Sequence, residues 1–303
     1  IALGETLAWL GEVAPAREHF EQARAFYDPR QPRPSWAWLD GGVVSLSLAA
    51  WVLWLLGYPG QASKRIHETL TLAQELSHPF SLAWALNSAG ILHQLRREVQ
   101  AAQARAESLI ALCIEQGFPQ LLAVGTIRQG WVLAEQGQVE EGIVRIRQGM
   151  DAWRATGGEI GRAGSLALLA EAYGKVGRAE EGLTVLTEAL AVVDKTGQRV
   201  GEAELYRLKG TLTLQSKVQG LRSKVEEAEE CFLKAVEIAR RQQAKSWELR
   251  AVMSLSRLWQ SQGKKEEAHR MLAEIYGWFT EGFDTKDLQE AKALLEELTG
   301  YAP

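Results

Sequence analysis

Five histidines, two cysteines and one glycine-rich run are the residues of this chain best equipped for chemistry. His19, His67, His78, His93 and His269 would have to converge on a metal ion to support metal-assisted hydrolysis, and none stands at a ligand spacing such as HExxH. His93 reads instead as a packed, hydrogen-bonded side chain. Cys113 and Cys231 could be nucleophiles, but they lie far apart and neither has a histidine near it in sequence. They read as small core residues kept reduced. Residues 157–164, Gly-Gly-Glu-Ile-Gly-Arg-Ala-Gly, could cradle a phosphate; yet they follow a helical segment rather than a strand and match neither GxGxxG nor a P-loop. A link between helices is the expectation there. Glu-Glu pairs at 140–141, 180–181 and 266–267 recur near predicted helix starts, where they suit the helix dipole. No catalytic site, metal or cofactor is expected.

Composition narrows the class. Of 303 residues, 46% are hydrophobic and 24% charged, which excludes a wholly disordered chain. The formal net charge of −4 gives no overall field for nucleic acid or an acidic membrane surface. Lys and Arg outnumber Glu eleven to six between residues 216 and 265, which reads as a solvated helix face able to meet an acidic peptide or a phosphate. The longest apolar run, Val43 to Tyr58, is shorter than the roughly 20 residues of a membrane span. These features predict a cytoplasmic protein that uses neither membrane nor nucleic acid. The chain opens on Ile1 rather than Met, so a piece of a longer protein is expected.

Whatever these residues bind, something must position them, and a repeat supplies it. The phrase Gln136-Gly137-Gln138-Val139-Glu140-Glu141-Gly142 returns as Val176-Gly177-Arg178-Ala179-Glu180-Glu181-Gly182 and as Gln262-Gly263-Lys264-Lys265-Glu266-Glu267-Ala268. A small residue recurs at Ala16, Ala62, Ala102, Gly142, Gly182, Ala228 and Ala268. A second series runs through Gly4, Ala50, Gly90, Gly130, Ala170, Gly210 and Ser256. Apolar residues at three- and four-residue spacing make each copy two helices, and the small residues mark where the two cross closely. One such pair cannot bury its own apolar face; a stack can. Two longer steps place insertions at Asp28–Ser35, where prolines forbid helix, and at Gln215–Arg222. Asp284 is read as the N-cap of a last helix running to about Leu298.

A small residue, an apolar or aromatic residue three later, a Gly turn, Ala, an aromatic or aliphatic four later and Ala again resembles the tetratricopeptide repeat. Gly4, Leu7, Gly11, Ala16, Phe20 and Ala23 show it, as do Ala170, Tyr173, Gly177, Gly182, Leu186 and Ala189. The period is 40 rather than the usual 34, which also allows a HEAT-like reading. The resemblance implies an all-α solenoid, a right-handed superhelix of about seven helix pairs over residues 1–30, 43–80, 81–120, 121–160, 161–200, 201–245 and 246–283, capped by a helix at 284–298. A narrower likeness, in Leu55-Leu56-Gly57-Tyr58-Pro59, residues 92–98 and Ile275-Tyr276-Gly277-Trp278-Phe279, is to repeat arrays that follow nucleotide cyclase and STAND-type ATPase domains in bacterial signalling proteins.

In such arrays the first helix of each pair lines the concave side. Transferred here, that register puts Ser47, Trp51 and Trp54, then Trp84, Asn87, Ile91 and Gln94, on the inner stripe. Arg128 and Trp131, Glu171, Glu204 and Arg207, and Arg250 and Arg257 continue it. Trp and Arg are favoured at binding hot spots, and any one of these Trp could equally fill the core. The expected function is a non-catalytic regulatory module holding a peptide, a partner protein or another domain of its own parent chain. The alternative is a sensor arm for a sugar- or nucleotide-like small molecule.

Overall fold

The computed structural model describes residues 1–28, 39–217 and 221–300. The first expected insertion lies largely outside these, as does the middle of the second. Among the described residues the secondary structure is helical, fifteen helices with no strand. They run as pairs: α1 Ala2–Leu10 with α2 Val13–Ala25, α3 Gly41–Leu55 with α4 Pro59–Glu75, and α5 Pro79–Leu95 with α6 Val99–Gln116. Then come α7 Pro119–Glu135 with α8 Val139–Ala155, α9 Arg162–Lys175 with α10 Ala179–Thr196, α11 Glu202–Gln215 with α12 Leu221–Arg241, and α13 Lys245–Ser261 with α14 Lys265–Tyr276. A last helix, α15 Lys286–Thr299, packs on α13 and α14.

The turns show why the helices stop where they do. Gly11, Gly57, Gly137, Gly177 and Gly263 all sit at positive φ just past a first helix, the left-handed conformation that glycine adopts without a steric penalty. In each turn the next backbone N–H reaches back five residues, as Gln138 does to the Leu133 carbonyl at 2.9 Å and Arg178 to Tyr173 at 3.0 Å. Pro59, Pro79 and Pro119 then open the following helices at their first position, where a missing N–H costs nothing. The third pair breaks the pattern: Arg97 holds the left-handed φ of 61° where its sister turns have glycine. Asp284 does not cap α15, because the helix begins one residue later; Thr285 is the N-cap residue, and Asp284 lies exposed, 3.6 Å from Arg96.

The small-residue positions are points of backbone contact. A Cβ on Gly130 would stand 2.7 Å from both the Gly142 carbonyl oxygen and the Ile146 nitrogen, and one on Gly142 would stand 2.6 Å from the Gly130 oxygen. Ala16, Ala62, Ala102, Ala170, Ala228, Ala268 and Ser256 show no exposed surface. The 3.3 Å bond from Ser256 Oγ to the Ala268 carbonyl joins the two series directly.

Close crossings stacked in one sense bend the array until it meets itself. The first helices of pairs two to seven form a ring: α3 packs on α5, α5 on α7, α7 on α9, α9 on α11, α11 on α13, and α13 returns to α3. One continuous core cluster accordingly joins Val52, Trp54 and Leu55 to Ile238, Ala244 and Trp247. Ser246 Oγ donates to the Trp54 carbonyl, and the Gln61 backbone N–H donates to Glu281 Oε1 at 2.9 Å. The first pair is therefore no free end. Its Trp9 carbonyl accepts from the backbone of Arg199 and Val200, although Leu3, Leu10 and Phe26 remain exposed.

Gly130→Ala should destabilise the protein by about 2 kcal/mol through overpacking against fixed backbone. Gly164→Ala, in α9 with open space around its Cβ position, should stabilise it by about 0.5–1 kcal/mol. Urea unfolding of both variants checks the pair, and equal effects would contradict the crossing geometry.

Candidate functional site

The inner faces of the ring helices carry two polar groups, one on each side of the Trp54 seam. On the α11–α13 side, Arg250 donates from Nε to Asp287 Oδ2 of α15 at 2.7 Å and from Nη2 to the carbonyl of Leu95. Its guanidinium also lies 5.3 Å from the Trp54 ring centroid and 5.1 Å from that of Trp247, and these two indoles meet edge to face at 4.8 Å. Glu204 receives both Arg207 Nε and Nη2 in a fork at 2.7 and 2.6 Å and stands 3.9 Å from Arg250. Arg97 reaches from its left-handed turn to Asp287 at 3.3 Å and Glu290 at 2.9 Å, and Arg257, half exposed, lies 3.6 Å from Glu290. The result is an ionic seam binding the third turn to the capping helix.

Burial works against the charge on Arg207, but Glu204 above all, with Glu171 and Asp287, outweighs it and holds the guanidinium pKa above its ordinary value. Glu171, on α9, is shifted the other way. Burial raises its carboxyl, and the neighbouring Glu204 and Glu135 add to the rise against the opposing pull of Arg207 and Lys175.

The second group lies on α5 and α7. Arg128 donates from Nη1 to Gln94 Oε1 and from Nη2 to Asn87 Oδ1, the latter at 3.3 Å. Its stem passes over Gly90, where a Cβ would come within 2.7 Å of Arg128 Cδ. Here the small crossing residue makes room for a long cation. Arg128 is only 8% exposed and, among the described residues, has no carboxylate partner. Burial alone lowers its pKa to about 10. Trp84, one turn before Asn87 on the same face, is half-buried with an indole Nε1 that finds no acceptor among the described residues.

Several expected groove residues are placed differently. Trp54 and Trp131 are 2% and 4% exposed, so both are corrected from groove anchors to core. Trp54 is covered because the ring closes over it at Trp247; Trp131 packs with Ala102 and Val132 between repeats. Trp51 is half-buried against Trp9, their ring centroids 5.0 Å apart. Asn87, Gln94 and Arg128 do come together, as do Glu204, Arg207 and Arg250. Ser47 is buried and bonded to the Val43 carbonyl. Sequence reasoning missed Trp247, Arg97 and Asp287; only Arg97 left a local signal, an arginine at a turn position that is glycine in five other pairs. His93 does bond Glu98, at 2.7 Å. Among the described residues no group of three or more His, Cys, Asp or Glu is placed to hold a metal, and no helix is long and apolar enough to cross a membrane.

No family model matches the chain. An uncharacterised protein of Rhizobium meliloti (strain 1021) is 23% identical over 206 residues, 67% of this chain, and the match spans 20% of that relative's length. Among solved structures, Rap protein complexed with Competence and Sporulation Factor superposes with a TM-score of 0.63 at 16% identity, over 98% of this chain and 78% of its own. NprR in complex with its cognate peptide NprX gives 0.62 at 12% identity, over 98% and 81%. The apo form of RapI gives 0.55 at 10%, over 97% and 96%. At such identities the likeness is one of fold, and the fold is a tetratricopeptide-type array.

The raised Glu171 carboxyl gives a pH test. In the unfolded chain this group ionises in the ordinary carboxylate range; in the folded protein it ionises higher, so stability is lost as pH rises between the two values. Glu171→Gln should therefore gain stability over the unsubstituted protein at about pH 8, and the gain should shrink toward about pH 4. A difference independent of pH in thermal unfolding would contradict the assignment.

Proposed function

We propose that this chain is a non-catalytic module that holds an extended peptide segment against the inner faces of its first helices, the segment coming from a partner protein or from another part of its own parent chain. The carrying observation is the α5–α7 group. Trp84 and Asn87 stand one turn apart on α5 beside Arg128 of α7, and among the described residues Trp84 Nε1 and Arg128 Nε have no acceptor. Buried donors without acceptors are costly, and an extended peptide backbone offers carbonyl oxygens at regular intervals to satisfy them. The shared fold with NprR, which is solved with its cognate peptide, supports the same reading. Rings for a sugar or nucleoside to stack on are fewer than the inner stripe suggested, since Trp54 and Trp131 are covered. A cyclase or STAND-type parent remains part of this proposal, resting on the sequence likeness alone.

Selection from a random peptide library on the intact chain tests it. Enriched peptides should lose about tenfold or more in affinity with Asn87→Ala or Trp84→Ala, the cost of truncating a hot-spot contact, and should be indifferent to Glu159→Ala in the α8–α9 link. Failure of any peptide to enrich, or equal loss at Glu159, would overturn the proposal.

A further inference from the structure

Arg128 brings a whole positive charge into the ring wall and, among the described residues, no acid meets it. Every other strongly buried arginine of the inner wall is neutralised: Arg207 by Glu204, Arg250 by Asp287. Arg128 instead faces two neutral amides, and its Nε is buried without an acceptor. A buried guanidinium that lacks a counter-charge costs several kcal/mol in desolvation, so such a residue is retained at a price in stability. Hydrogen-bond polarity around it is one-sided. Because the Asn87 and Gln94 oxygens both accept from Arg128, the amide nitrogens of those side chains point away from the guanidinium as further donors. Trp84 adds an indole N–H one turn earlier on α5. Four residues therefore supply donors and a positive charge, and the two amide oxygens among them are turned to the guanidinium. Gly90 keeps the space through which the arginine stem reaches it.

We infer that the Arg128–Asn87–Gln94 group is an oxyanion receptor, the place where a carboxylate or phosphoryl group of the bound segment is received. The planar guanidinium suits the two oxygens of such a group, and the surrounding amide donors satisfy their remaining lone pairs. The inference builds on the peptide-holding reading by naming the chemistry of one anchor. Its probes are small anions, so it stands or falls without any peptide being known.

The experiment is thermal unfolding of the full chain in a buffer free of oxyanions, titrated with sodium acetate, with inorganic phosphate, or with sodium chloride at matched ionic strength. The unsubstituted protein should show a saturable rise in Tm of about 2 °C or more with acetate or phosphate beyond that with chloride. A larger response to acetate assigns a carboxylate, and a larger response to phosphate assigns a phosphoryl group. Arg128→Met should abolish the response while unfolding at or above the Tm of the unsubstituted protein in anion-free buffer, because it removes an uncompensated buried charge. If Arg128→Met does not fold, Arg128→Lys keeps the charge without the fork and should lower the apparent affinity for the anion about tenfold. Equal responses to chloride, acetate and phosphate, or a response that survives loss of the guanidinium, would overturn the inference. Selection of peptides together with no anion response would sink the receptor alone; an anion response with no peptide would sink the peptide reading alone.

Discussion

Where α7 crosses α8 the backbones meet with no room for a β-carbon. Gly130 and Gly142 face one another across less than a van der Waals contact for any larger residue, and the equivalent positions in other pairs are glycine, alanine or a serine that bonds across the gap. This spacing sets how closely the two helices of a pair nest, and the shape of the pair in turn sets how the array curves. With larger residues at these positions the pairs would splay and the array would open.

Curvature decides what kind of site the protein has. An open solenoid would present a broad groove lined with tryptophans. Here six inner helices come full circle, and the seam where α13 meets α3 consumes much of that aromatic surface: Trp54 and Trp247 face each other with Arg250 lying against both. What stays available on the inner wall includes the half-buried Trp84 beside a polar group. The ionic seam around Asp287 is internally matched and serves closure, whereas the α5–α7 group is unmatched in charge. That contrast between satisfied and unsatisfied charge, more than residue type, singles out the α5–α7 group as the proposed contact.

Local features of the fold were legible in the sequence because they repeat. The glycine turns, the small crossing residues and the helix pairs each recur in register, so one copy vouches for the next. Closure leaves no such trace. Ser246 meets Trp54 and Glu281 meets Gln61 across most of the chain's length, and nothing periodic announces those encounters. For that reason Trp54 stayed open between groove and core, and Trp247 was passed over. Trp131 misled for a different reason: an aromatic on an inner helix can turn sideways between repeats, and periodicity does not distinguish those directions. Arg97 shows the opposite case. Its departure from the glycine pattern was visible, but its purpose, a side chain reaching the capping helix, depends on closure.

Closure is therefore the claim on which the assignment of the inner wall rests, and disulfide trapping measures it directly. Gln61→Cys and Glu281→Cys, introduced together, place thiols where backbone and side chain already meet. With native Cys113 and Cys231 both buried, mild oxidation should join the new pair rapidly and nearly completely within single molecules. A cross-link that forms no faster than between Gln61→Cys and a cysteine at Glu159 would mean that the array stands open, and that its tryptophans are free to face a ligand after all.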